Sequence, residues 1–155
     1  MKPVRNLLVG SFLLFNTSRC NLSGPANAPQ GEFRHSVSSF QCGPADGPAT
    51  AVLLARDPID GLAPANPYVR VVIQRPASEL GGTSWTIGGG GVGQGASAFY
   101  SPAADEYEEA SSGTVRIDRV VAQERVEGRV ELRFPSRTVT EVFSAPWIEM
   151  FILCG

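Results

Sequence analysis

Histidine is almost missing from this chain of 155 residues: His35 is the only one, and lysine is confined to Lys2. A Ser-His-Asp or Cys-His catalytic set therefore has one candidate base. His35 alternates with Phe33 and Val37 and reads as a half-buried strand residue rather than a catalyst. With one imidazole, three cysteines and no EF-hand spacing of acids, transition-metal and calcium sites lack ligands, so no metal and no other cofactor is expected. Long apolar runs are scarce too. Leu7 to Phe15 is nine residues, whereas a bilayer-spanning helix needs about 20, and no later stretch is long enough. A surplus of positive charge is also lacking. Without residues 1–19 the chain loses Lys2, Arg5 and Arg19 but no acid, so a formal charge of −2 becomes −5. Nucleic acid is therefore excluded as an expected partner.

What is present begins with an export layout. Lys2 and Arg5 precede the short apolar run, and Asn16-Thr17-Ser18 ends it, which predicts a signal peptide over residues 1–19. Cys20 then stands where a bacterial lipoprotein carries its lipid-modified cysteine. Ser18 fits that motif, whereas Arg19 departs from the small residue expected just before the cysteine. Residues 20–31, rich in Gly, Pro and Asn, read as a flexible stalk. Residues 32–155 then form one domain, and the location expected is the cell envelope or the extracellular space, with the membrane reached through lipid on Cys20. Cys42 and Cys154 bracket that domain and are the expected disulfide pair.

Seventeen Gly and twelve Pro favour turns over long helices. Extended segments are predicted at Phe33–Gln41, Thr50–Ala55 and Tyr68–Gln74. The clearest alternation lies further on, where Val115/Ile117 and Val126, Val130, Leu132 and Phe134 interleave with Arg116, Asp118, Glu131 and Arg133. Thr138–Ser144 gives another strand, and the apolar run Pro146–Cys154 a last one, central in its sheet and paired with the strand before Cys42. Only residues 101–110 look helical, because Ser101 suits a cap, Pro102 a first turn, and acids follow. The fold expected is all-β, an antiparallel β-sandwich with at most one short helix; the alternative is an up-and-down barrel of lipocalin type.

Ser112-Gly113-Thr114-Val115, Val126-Glu127-Gly128 and Phe143-Ser144-Ala145, followed by a terminal cysteine, resemble the ending of small uncharacterised bacterial secreted proteins and lipoproteins. The resemblance covers less than a third of the chain. It implies a secreted β-sandwich and no particular activity.

Gly88, Gly90 and Gly93 formally satisfy a dinucleotide fingerprint, but Ser97-Ala98-Phe99-Tyr100 after them is strand-like, so there is no helix to hold pyrophosphate. The segment reads instead as a hairpin loop, and Trp85, Gly90 and Gly93 are the candidate binding loop, with Trp85 exposed. Tyr68, Tyr100, Tyr107 and Trp147 complete the aromatic inventory for a sugar or peptide platform, Trp147 being assigned to the core. The acids Asp57/Asp60 and Asp105-Glu106-Tyr107-Glu108-Glu109 read as a turn and a solvated face. The function expected is a non-enzymatic, lipid-anchored binding or structural module. Its partner is an envelope protein, a glycan or a small ligand. The alternatives are a small-ligand carrier with a barrel cavity and a hydrolase using paired carboxylates.

Overall fold

A computed structural model describes residues 31–43, 47–61, 63–88 and 95–149. They form β1 (His35–Cys42), β2 (Pro48–Ala55), β3 (Tyr68–Ile73), β4 (Thr83–Ile87), β5 (Ala96–Ser101), β6 (Glu108–Glu109), β7 (Ser112–Val121), β8 (Arg125–Arg133) and β9 (Thr138–Ile148). The sheet order is β3-β2-β1-β9-β8-β7-β4-β5-β6, and β3 also pairs with β5 from Tyr68↔Ser101 to Ile73↔Ala96. That last pairing closes a barrel of eight strands, with β6 attached outside the ring on β5.

The all-β expectation holds, but the sandwich is replaced by a barrel, the architecture that stood as the alternative. Alternation along a strand says which face is wet and which is dry, and a sandwich and a barrel meet that condition equally. The ring also departs from a simple meander. β4 and β5 exchange places, meeting each other in parallel at Ile87↔Ala96, and the seam between β1 and β9 is parallel, at Ser38↔Trp147 and Ser39↔Ile148. β9 runs unbroken through Pro146, merging two segments that the sequence separates, and its end does pair with the strand before Cys42. The helix expected over 101–110 is absent. Asp105 adopts φ 62°, which breaks any helical turn, and the segment is a loop leading into β6. A single 3-10 turn at Ala77–Glu79 is the helical content among the described residues.

The interior is filled by side chains. Val52 and Leu54 of β2, Val69, Val71 and Ile73 of β3, and Val115 and Ile117 of β7 are closed off from solvent. Across the ring they meet Val126, Val130 and Leu132 of β8 and Val139 and Phe143 of β9. Most of these are β-branched, the shape that packs on a pleated half-buried surface. Burying each one fully contributes on the order of 1.5–3 kcal/mol. β2 is buried on both faces from Ala49 to Ala55. On its outer side Ala51 lies between Ser39 and Val72, and Arg70 reaches over from β3 to donate to the Gln41 Oε1 at 2.7 Å. Gly128 opposes Ile117 on one side and Phe143 on the other, leaving room for the Phe143 ring inside the barrel.

Candidate functional site

β1 and β3 are both antiparallel to β2, and β1 is parallel to β9. His35, Tyr68 and Thr138 therefore begin strands at one end of the barrel, here the base, while Cys42, Ile73 and Ile148 finish strands at the far end. The described chain comes in at the base and is bolted there. Glu32 forms ion pairs with Arg137 and Arg56, and the Phe33 amide donates to Glu141 Oε1 at 3.2 Å. Arg137 lies over the Tyr100 ring, 5.0 Å from its centroid, and 5.8 Å from that of Phe33. Its Nη1 also donates to the Tyr100 hydroxyl at 3.0 Å. Burial pushes the Glu32 carboxyl up, but the hydrogen bonds and charges of Arg137 and Arg56 together outweigh that and hold it below its ordinary value. Arg137, hydrogen-bonded to Glu32, is held correspondingly higher. Phe33, Tyr100 and Phe134 pack edge-on and tilted beneath this pair and stop the base of the barrel.

Two concave sites lie away from that stopper. The first is a groove on the outer wall, about 280 Å³, lined by Tyr68, Arg70, Phe99, Ser101 and Tyr107. Strand register builds it. Phe99 faces Arg70 across the β3–β5 pair, and Tyr68 stands diagonally beside Phe99, opposite Ser101. Tyr107 comes from the loop after β5 and is 76% exposed. That loop is pinned by Ser101, whose hydroxyl faces the Glu106 carbonyl at 2.9 Å and the Ala103 carbonyl at 3.1 Å. The groove thus offers flat apolar rings, one guanidinium and solvent access, a combination that stacks on a ring-shaped ligand and hydrogen-bonds its rim. The second site, of about 240 Å³, lies at the far end beside Gln74, Arg75 and Glu79.

The residues singled out from sequence fall in different places. Trp85, expected to be exposed, is half-buried and packs against the core, with its Nε1 donating to Thr83 Oγ1 at 2.8 Å. The reason is register: Trp85 opposes Val115, whose side chain points into the barrel. Gly90 and Gly93 lie outside the described residues, as do Cys20 and Cys154, while Cys42 ends β1. Tyr68 and Tyr107 of the aromatic inventory share the outer groove; Tyr100 and Trp147 pack on the core. His35 is half-buried in β1. Phe99 and Arg70 were missed, although the pair Phe99-Tyr100 carried a usable signal, since neighbours in a strand point to opposite faces and one ring had to lie outside. Among the described residues no group of three or more His, Cys, Asp or Glu is placed to hold a metal ion. No protein-family model, curated protein or solved structure matches this chain.

Proposed function

We propose that this protein is a non-enzymatic binding module of the cell envelope that holds a glycan in the outer groove of its barrel. The observation that carries the reading is the meeting of Tyr68, Phe99 and Tyr107 around Arg70 on a wall otherwise rich in polar side chains. Tyr107 is exposed and Tyr68 and Phe99 are half-buried beside it, and the three come together from separate parts of the chain as a contiguous aromatic patch, the kind of surface that marks a binding site. A pinned loop also lowers the entropy lost when Tyr107 closes on a sugar face. The carrier alternative needs a hollow interior. Side chains fill the centre of this barrel, and both cavities described above lie outside its lumen, which favours the groove.

In this reading residues 1–19 direct export, lipid on Cys20 anchors the chain, and residues 20–31 hold the barrel off the membrane. Cys42 and Cys154 form the cystine. Cys42 is engaged in an interaction, and β9 ends at Ile148 beside Ser39 of β1, three residues before Cys42 on one strand and six before Cys154 on the other. Closing a loop of about 112 residues would stabilise the domain by about 4–5 kcal/mol on the chain-entropy model. The resemblance of residues 112–155 to bacterial secreted proteins and lipoproteins supports the same location.

The test is calorimetric titration of the protein with soluble oligosaccharides of neutral and acidic sugars. Binding by at least one, weakened about tenfold or more by Tyr107→Ala and by Phe99→Ala, is the expected result. Failure of every sugar to bind, or affinities untouched by both substitutions, would remove the glycan reading.

A further inference from the structure

The buried apolar side chains fall into two sets. One is the core cluster inside the barrel. Val37, Ala49, Ala51, Leu53, Ala55 and Val72 are equally closed to solvent and stand outside that cluster. Register places them together on the outer wall of β1, β2 and β3. Val37 opposes Leu53, and Ala51 lies between Ser39 and Val72, while Val52, Leu54 and Val71, their neighbours along the strands, face inward.

An outward side chain loses its water only when something lies over it. Arg70, reaching across to Gln41, shelters Ala51 in part. Val72 has no such shelter, because its neighbours across the sheet are the small residues Ala51 and Ser97, yet it is only 7% exposed. Every described strand belongs to the ring or, for β6, to its edge, so no second layer of described strands lies over this wall. The cover has to come from another part of the chain.

Residues 44–46, 62 and 89–94 offer only Leu62 and Val92 as large apolar side chains. Residues 1–19 read as a signal peptide, and residues 20–30 hold Leu22 alone. Met150-Phe151-Ile152-Leu153 is four large apolar residues in succession. It starts two residues after Ile148, which pairs with Ser39 at the border of the wall. Its far side is marked by Cys154, whose expected partner Cys42 ends β1 opposite Pro48, next to Ala49. The six residues from Ile148 to Cys154 can span about 20 Å when extended, whereas Ser39 and Cys42 are about 10 Å apart along β1. That slack suffices to cross to β2, about 5 Å away, and return. The opening at the end of β3 needs no plug from this segment, since the 3-10 turn after β3 already sends Leu80 into the core.

We propose that the outer wall of β1, β2 and β3 is the docking site of the chain's own segment Met150–Leu153, which lies on the floor made by Ala49 and Ala51 between Val37, Leu53 and Val72. The small floor residues let a backbone approach closely, and the four apolar side chains of the segment lose the same water as the wall. The wall has no residue in common with the lining of the outer groove, so glycan binding can fail without affecting it.

The experiment replaces Phe151 with the photo-cross-linker p-benzoylphenylalanine in the full-length protein and maps the adducts by mass spectrometry after irradiation at low concentration. Adducts are expected within the same chain, on residues 37–39, 49–53 and 70–72. Adding Ala51→Trp, which fills the floor, is expected to lower their yield about fivefold or more, with a thermal melt to show that the variant folds; should it not fold, the adducts of the parent decide. If the mass shows Cys42 and Cys154 unlinked, the cystine falls, and adducts on this wall still uphold the docking. The proposal is overturned by adducts confined to Phe40, Leu80 and Trp147, to residues 1–30 or to a second copy of the chain. It is equally overturned by the absence of any adduct, or by a yield that a folded Ala51→Trp protein leaves unchanged.

Discussion

Replacing Gly128 with alanine tests the packing of the barrel at its narrowest margin. Gly128 has no positive φ, so an L-residue meets no backbone penalty there and the whole cost must be steric. A methyl at that position would stand 3.0 Å from Phe143 Cζ and 3.2 Å from the Arg116 carbonyl carbon, with the Arg116 carbonyl oxygen closer still. The Phe143 ring is enclosed, and the Arg116 carbonyl belongs to a strand whose neighbours on both sides are paired. Neither can retreat without moving a second strand. Overpacking of this kind costs about 1–3 kcal/mol, and a backbone obstacle puts Gly128→Ala at the upper end, near 3 kcal/mol. For a protein of this size the midpoint of thermal unfolding should fall by about 6–12 °C, at about 2–4 °C per kcal/mol. Gly61→Ala is the control. Gly61 has φ 64° and no atom within 4 Å of an added methyl, so it carries only the left-handed backbone penalty of about 1 kcal/mol, or about 2–4 °C. Circular dichroism melts of both variants decide the matter. Should Gly128→Ala unfold no lower than Gly61→Ala, the close approach of β7 and β9 across Gly128 would not be the constraint argued here.

Leu54→Ala removes a fully buried side chain from the centre of the barrel and should cost about 2–5 kcal/mol, measurable as a lower urea midpoint at unchanged slope. Glu32 and Asp118 are both held below their ordinary values of 4.5 and 3.8. For Glu32 the arginine partners outweigh the upward push of burial, and for Asp118 the hydrogen bond from Arg129 comes first. A depressed carboxyl contributes stability that is complete above its unfolded value and is lost as pH falls through its folded value, so acid should weaken the fold below pH 4.5. Glu32→Gln should be less stable at neutral pH and lose less on acidification; parallel acid-titration curves for the two proteins would contradict this. Intact mass and thiol labelling of the protein expressed in a bacterial host, beside Cys20→Ala, should give an acylated Cys20 and two thiols that react only after reduction. A soluble product with three reactive thiols would remove both the anchor and the cystine.

The strands were legible where one face is apolar and the other charged. β7, β8 and β9 announce themselves because Val115, Val130 and Val139 sit among Arg116, Glu131 and Thr138, and water and core sort those residues unambiguously. β4 was not recognised, since Thr83 and Trp85 face the barrel with Ile87 and hydroxyls blur the alternation. Ring closure was beyond local reading altogether. It depends on β3 skipping its successor to reach β5, a choice made by shape and not by the pattern within either strand. The helix over 101–110 was misread for a definable reason. Ser101 looked like a cap for amide donors, yet its hydroxyl faces the Ala103 and Glu106 carbonyls and holds a loop. The outer groove suffered most, because Tyr68 and Tyr107 become neighbours only after the wall between them is built.

The parallel seam between β1 and β9 has a bearing on how such a chain comes to be folded at all. Among the described strands the ring joins β1 to β9, so it stays open until β9 is available, and any length that lacks β9 leaves β1 with an unpaired edge. A partly available chain is thus kept from closing prematurely. The same delay exposes the apolar face of β2 and β3, and it makes the interval between release and closure the period in which chaperones, or aggregation, decide the yield.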